Sequence, residues 1–591
     1  MNRFNYINKL ILIAIVTIVL TVSPALGRNN SQYEIWGADQ SNSVSGVESR
    51  GVNGSWIWVW DSKDVEKQLK SGKEAKPLGC DGKNRPGDGP CDIRDVFPAS
   101  LAEYDSSGKP TGKTLGDLPA FGRLHGMRPD PQNKYMNANI FAPNGGYVGI
   151  IDGETKEAVA LFRVAGTNVG RSVHMSFWNS DGSALLVANL NGKVLERIDI
   201  TRDRRGQIIN ATFNKSASLG VGKGMTIVED AKVYLGSNGQ GQVMIGSISG
   251  SYEEADLGDL TPNGYCKENG CTSGSNADNG GRPNNVIICP IPSDRDYDYI
   301  TLGGGGLLVA NIKTTPMTIV GEYGNQVVNG AGCGGVQVDN NMWLNAGVSA
   351  SGAGATQSTF TMYSFNDREF DTTPNQPNTP TPTLVYKDDT NTATIGNTVG
   401  NPEANTTGQL PGITTRRDAH GMARTLSGSH IHNVDRIQNN VEVFNTRTLR
   451  RTTYDLTSAN GKGNGVGACA AASVTDDFGL PLNDPAPDLM DTTPDGKYLV
   501  VALRGPVPVS VTHAAQGSCP GVGIIELTKG GASGRLAGVL RATNTVDTAP
   551  VDAPGGHAYI GNEHSDIHDT SVRRFRVKRS RGAGSKGDAS K

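Results

Sequence analysis

VHMSFWNSDGSALLVANLNGKVLERIDI, Val173 to Ile200, decides how this chain is read. A short apolar segment runs into the turn NSDG, a β-rich segment ends in VAN, and a second polar turn leads into an alternating strand. DLMDTTPDGKYLVVALRGPVPVSV, from Asp488, repeats that plan, with DG in the turn and VA closing the next strand. HGMRPDPQNKYMNANIFAPNGGYVGIID from His125 and AHGMARTLSGSHIHNVDRIQNNVEVFNTRT from Ala419 follow it too. Weaker copies begin at Gly224, Val286 and Gly334.

Each unit supplies about four strands of period-two pattern, the content of one propeller blade. Composition agrees, because Gly reaches 77 of 591 residues and only 19% of residues are charged, as expected of many short strands and turns. Only SKDVEKQLKSG, around Lys63, has helical composition.

The two ends complete the ring. YEIWGADQSNSVSG from Tyr33 matches the second strand of a unit and SWIWVWD from Ser55 the third, while the C-terminal DIHDTSVRRFRV supplies the missing first strand. Termini sharing one blade would remove exposed sheet edges. The expectation is an all-β chain, a single large propeller over residues 28–577, with eight units counted and seven if one weak middle copy is an insertion. Irregular insertions are expected at about 70–122 and 367–412, the latter rich in Pro, Thr and Asn.

This pattern of strand, DG turn and VAN-like strand resembles the YVTN-type propellers of secreted and periplasmic proteins. That resemblance implies fold, while function must come from the site. Among propellers, nitrous oxide reductase and methanethiol oxidase are distantly similar, and they imply copper held by histidines that project into the central channel.

Arg3 and Lys9 precede the uncharged run Leu10 to Val22, which is too short for a comfortable span, and Ala25 and Gly27 are small residues at a cleavage position. Residues 1–27 therefore read as a signal peptide, with no transmembrane segment left after its removal and a secreted or periplasmic location. Eight cysteines in such a compartment favour disulfides. Cys80 with Cys91 and Cys266 with Cys271 are natural local bridges, leaving Cys289, Cys333, Cys469 and Cys519; the sequence leaves the connectivity open.

The net charge of −3 gives no global attraction to nucleic acid. CxxCH is absent, and GGGG at Gly303 to Gly306 reads as a hairpin turn with no helix after it, so neither haem nor a nucleotide cofactor is expected. The basic segment 578–591 reads as a disordered tail.

In a propeller the first strand of each blade lines the channel. Counting seven residues back from the turn Asp or Ser puts His174, His420 and Asp488 in one register, with Arg123 in the corresponding place of the unit holding Asp130. His125 and Met490 lie two positions further on, the same face of a strand. His568 begins the closing strand. His125, His174, His420, His568 and Met490 are thus candidate ligands of a transition metal, copper above all, with Arg123 and Asp488 beside them. The competing reading makes the histidines hydrogen-bonding stitches between blades. His430 and His432 share one side of the next strand and form a candidate minor site.

Two functions follow from these readings. One is a metal-dependent oxidoreductase acting on a small molecule. The other is a noncatalytic propeller that binds a protein, glycan or surface polymer, with structural histidines. A calcium-dependent lactonase would need more carboxylates at the strand starts than this chain offers.

Overall fold

The computed structural model describes residues 32–575 except 42–43, 46–47, 50–54, 82, 118–121, 143–144, 165–172, 222–230, 238–244, 253–285, 325–326, 329, 331, 348–359, 371–379, 389–416, 437, 457–484, 506–516, 518 and 545–562. The proposed signal peptide and the basic tail lie outside the described residues.

The DG turns explain how each unit begins. Gly182, Gly428 and Gly496 occupy the turn between first and second strands with φ of 73°, 70° and 66°, a left-handed conformation that glycine adopts without strain. Asn133 and Asp296 hold φ of 58° and 62° in the corresponding turns of their units, a role that Asn and Asp tolerate better than most residues. Behind each turn the apolar segments pair as antiparallel meanders.

The result is a β-propeller. Four consecutive strands make one sheet in each of the runs Ile287–Pro292 to Thr318–Tyr323, Gly335–Val338 to Thr383–Lys387, Ala419–Arg424 to Arg451–Asp455, and Pro487–Thr492 to Ser533–Arg541. The ring closes as expected. Ile567–Phe575 pairs with Gln32–Asp39, which pairs with Trp56–Asp61 and then Cys91–Asp92. The inner strands touch their neighbours around the channel, Ile567–Phe575 lying between Pro487–Thr492 and Arg123–Pro129.

Two sheets are enlarged, and this corrects the count of units. The described strands of the copy at Gly224 join other sheets: Lys232–Leu235 pairs beyond Ala158–Arg163 in the sheet begun by Arg123–Pro129, and Ile245–Ser249 runs parallel to Ile208–Asn214 in the next. Lys232–Leu235 is paired on both sides there, and Ile245–Ser249 is the edge strand of its sheet. Sheets of four or more strands number seven among the described residues. Both expected insertions also contribute strands. Ala102–Tyr104 and Pro110–Thr114 extend the sheet through Lys232–Leu235, and Thr383–Lys387 is the outer strand of a blade. Ser62–Ser71 is helical, as its composition predicts, capped by Asp61 and ended by Gly72.

The apolar cores lie between adjacent blades. Tyr135, Val148 and Ile150 of one sheet pack with Trp178, Leu185 and Val187 of the next. Trp58 and Trp60 stack at 5.7 Å in another core, and the indole of Trp58 donates to Asp39, so these tryptophans are structural. Cys80–Cys91 and Cys289–Cys333 are disulfides. Cys519 is also disulfide-bonded, whereas Cys266, Cys271 and Cys469 lie outside the described residues.

Candidate metal centre in the propeller channel

The five inner strands that carry the candidate residues share one irregularity. Leu124 faces Ile140 while Gly126 faces Asn139, so His125 is an extra residue. Ile567 faces Asp39 while Asp569 faces Ala38, so His568 is extra as well. The same offset brackets His174 with Met175, His420 with Gly421, and Asp488 with Leu489. A β-bulge re-aims the side chain it carries, and in these five strands it turns one residue towards its counterparts, whereas Gly335–Val338 pairs in unbroken register.

The bulges correct two sequence expectations. His125, not Arg123, is the equivalent of His174, His420 and Asp488. Met490 lies beyond the bulge, where strict alternation no longer holds, and it packs with Ala423, Leu499 and Val501 instead of joining the imidazoles. Arg123 stacks over Phe141 at 4.4 Å, and Phe141 meets the ring of His125 edge-on at 5.0 Å.

Four imidazoles and one carboxylate converge. Nε2 of His125 and Nε2 of His174 are 3.2 Å apart. His125 stacks on His568 with centroids 3.8 Å apart, and Nδ1 of His568 donates to the carbonyl of His125 at 2.8 Å, which leaves Nε2 with its lone pair. Nε2 of His420 lies 3.1 Å from Oδ1 of Asp488, and Nε2 of His568 lies 4.0 Å from Oδ2. One ligand atom from each of His420, Asp488 and His568 falls within 4.8 Å of the others. Nε2 of His420 and Oδ1 of Asp488 face each other as a pair, and Nδ1 of His125 is buried with no hydrogen-bond partner among the described residues. A buried polar atom without a partner, such as Nδ1 of His125, is rare.

Burial, followed by the neighbouring His568 and His174, holds His125 well below the usual histidine pKa. His174 is pushed down to about 3 by burial and by His420 and Arg123, and His568 is also well below normal, chiefly from burial. At neutral pH these rings are neutral, the form that ligates metal. Asp488 is opposed by burial but held well below the ordinary carboxylate range by His420, His568 and Arg436. Because His568 is itself neutral near pH 7, the lasting charge on Asp488 is balanced by guanidiniums.

Those guanidiniums form a buried belt that the sequence reading missed. Arg436 pairs with Asp418 at 2.7 Å and reaches Asp488 at 3.5 Å. Arg504 repeats the arrangement one blade on, with Nη1 2.9 Å from Asp488 and Nε 2.6 Å from Asp566. Each arginine ends a second strand and clamps the inner strand of its own blade to that of the next. The available signal was the D-x-H repeat, Asp418-Ala419-His420 and Asp566-Ile567-His568, with Arg following the second strand in HNVDR and VVALR.

No protein-family model matches the chain, and no curated protein matches it. Solved structures resemble it only in fold. A Lactobacillus plantarum protein aligns over 92% of this chain and all of its own at 9% identity and a TM-score of 0.43. The periplasmic gluconolactonase of Pseudomonas aeruginosa aligns over 90% of this chain and all of its own at 8% identity and 0.38. The β-propeller domain of Cps50 (Swd1) from Myceliophteria thermophila aligns over 65% of this chain and 95% of its own at 10% identity and 0.31.

The remaining candidates are accounted for locally. Nδ1 of His432 meets the Tyr454 hydroxyl at 3.0 Å and Nε2 the Gly531 carbonyl at 2.8 Å, while His430 bonds Ser429 and Asn445. Both therefore bind protein groups, His432 joining two blades. Cys289 and Cys333 lie within 4.8 Å of His174, but their sulfurs are joined to each other and are not thiolates. Asp298 is fully buried, and neither of its carboxylate oxygens has a hydrogen-bond partner among the described residues. Among the described residues, no helix is long and apolar enough to cross a membrane.

Proposed function

We propose that this protein is a secreted YVTN-type propeller whose channel binds one transition-metal ion through His420, Asp488 and His568, with His125 and His174 completing the site, and uses it in redox chemistry on a small molecule. The observation that carries this reading is the convergence of four imidazoles and a carboxylate, with one ligand atom from each of His420, Asp488 and His568 within 4.8 Å of the others. Two nitrogens bound to one ion at about 2.0–2.1 Å lie roughly 3–3.4 Å apart. The separation of 3.2 Å between His125 and His174 fits that requirement.

A nitrogen and oxygen donor set suits copper(II), iron, nickel or zinc, and among divalent ions copper binds such sites most tightly. Copper is the proposed ion. The bond from His568 to the His125 carbonyl fixes a ring tautomer in the manner of a metal-ligand histidine. His174 is half-buried, the most open of the four, and offers the side from which a small molecule would approach.

The test is elemental analysis of protein purified without chelator or affinity metal, beside a His420→Ala/His568→Ala variant, with circular dichroism to confirm that both fold. About one transition metal per chain, lost in the variant, supports the site. Wild-type protein that carries none and takes up none on titration with copper(II), iron(II) or zinc(II) would make the histidines interblade stitching and leave the channel to a noncatalytic binding role.

A further inference from the structure

A cavity of about 320 Å³ opens where the inner strands end, and its lining divides by chemistry. Phe177, Met422 and Met490 supply an apolar body, while Arg424 and Arg574 stand exposed with no ion pair among the described residues. Arg128 also lines it but is committed to Asp569 at 2.7 Å and to the carbonyls of Met490 and Thr570. The one lining carboxylate, Asp491, already accepts the backbone N–H groups of Thr492 and Val572. Positive charge therefore exceeds negative at this mouth, with Asp491 opposed by Arg128 and Arg574, and the exposed guanidiniums of Arg424 and Arg574 have no ion pair among the described residues to give up before meeting a ligand.

The cavity points at the metal centre. Cys333 is part of its wall and lies within 4.8 Å of His174, and Arg424 stands four residues along the strand from His420, about 13 Å at the rise of an extended chain. A molecule anchored at the rim with a body of that length would bring its far end to the imidazoles.

We propose that this cavity binds an organic monoanion, a carboxylate or sulfonate with an apolar body, head on Arg424 and Arg574 and tail between Phe177, Met422 and Met490. The cavity stands on its own lining, so binding does not depend on the metal. If the redox reading holds, this class is its substrate.

Calorimetric titration with naphthalene-2-sulfonate, octanoate and the neutral 2-naphthalenemethanol tests the proposal. At least one anion is expected to bind at least tenfold more tightly than the alcohol, and Arg424→Gln and Arg574→Gln are each expected to weaken it about tenfold, the loss of one charge-assisted hydrogen bond. Arg447→Gln, on an exposed turn away from the cavity, should bind as wild type. The metal-site variant His420→Ala/His568→Ala should keep anion binding within threefold, which separates failure of the metal reading from failure of this one. Binding of neither anion, equal binding of the alcohol, or indifference to both cavity arginine substitutions would overturn the proposal.

Discussion

Nε2 of His125 and Nε2 of His174, contributed by neighbouring blades, stand 3.2 Å apart in the channel. Two neutral imidazoles so placed hold either one shared proton or one cation between them. In the copper(II)-loaded protein both nitrogens should therefore coordinate. Electron paramagnetic resonance is expected to show superhyperfine coupling to at least three nitrogens, falling by one in His125→Ala. An unchanged pattern would mean that His125 is not a ligand and that the ion is held by the other three imidazoles.

The buried belt predicts a large stability cost at a residue outside the metal set. Arg504 is fully buried and neutralises Asp488 and Asp566 together. Arg504→Met keeps the volume but removes the guanidinium that pairs Asp566 and leaves Asp488 with Arg436 as its remaining guanidinium, and removing one partner of a buried pair costs about 3–5 kcal/mol. Urea denaturation should show that loss. A change below about 1 kcal/mol would mean that water reaches the belt.

The repeat was legible because DG turns and VAN-like strands are local, and local patterns survive in sequence. Ring closure was legible for the same reason, since DIHDTSVRRFRV lacks a second strand and YEIWGADQ lacks a first. The four histidines were found by their place at the strand starts. What failed was strict alternation: a bulge adds one residue, so His125 replaced Arg123 in the register and Met490 left the candidate set. The clamps of Arg436 and Arg504 join residues 18, 52, 16 and 62 positions apart, pairings that only the blade geometry creates. The described strands of the Gly224 unit joined neighbouring sheets because a strand's sequence does not name the partner it will pair with.

Asp298 predicts a stabilising substitution. Burial raises its pKa well above the usual carboxylate value. A raised carboxylate pKa means that folding favours the protonated acid, so the favourable contribution is present below about pH 4 and is lost as pH rises towards the folded value. Asp298→Val should thus stabilise the protein at pH 7 by about 1–3 kcal/mol, the usual cost of a buried polar group without a partner, with a smaller gain at pH 4. Destabilisation at pH 7 would show that Asp298 has a partner in the folded protein.

His432 gives the opposite pH dependence at a site separate from the metal centre. Burial pushes its pKa down to about 4, partly offset by its bond to the Gly531 carbonyl. The groups facing it are the Tyr454 hydroxyl, that carbonyl and His430 on its own strand. With the folded pKa below the unfolded value of about 6.5, the neutral ring stabilises the fold above pH 6.5. That contribution is lost as pH falls towards 4, because the unfolded chain takes up a proton that the folded chain refuses, at up to about 1.4 kcal/mol per pH unit. His432→Gln retains an amide that can donate to Gly531 but cannot titrate. Between pH 6.5 and 4 its unfolding free energy should fall less steeply than that of wild type by that amount, a difference that cancels the titration of the channel histidines. Equal slopes would mean that His432 is protonated in the folded protein as readily as in the unfolded one.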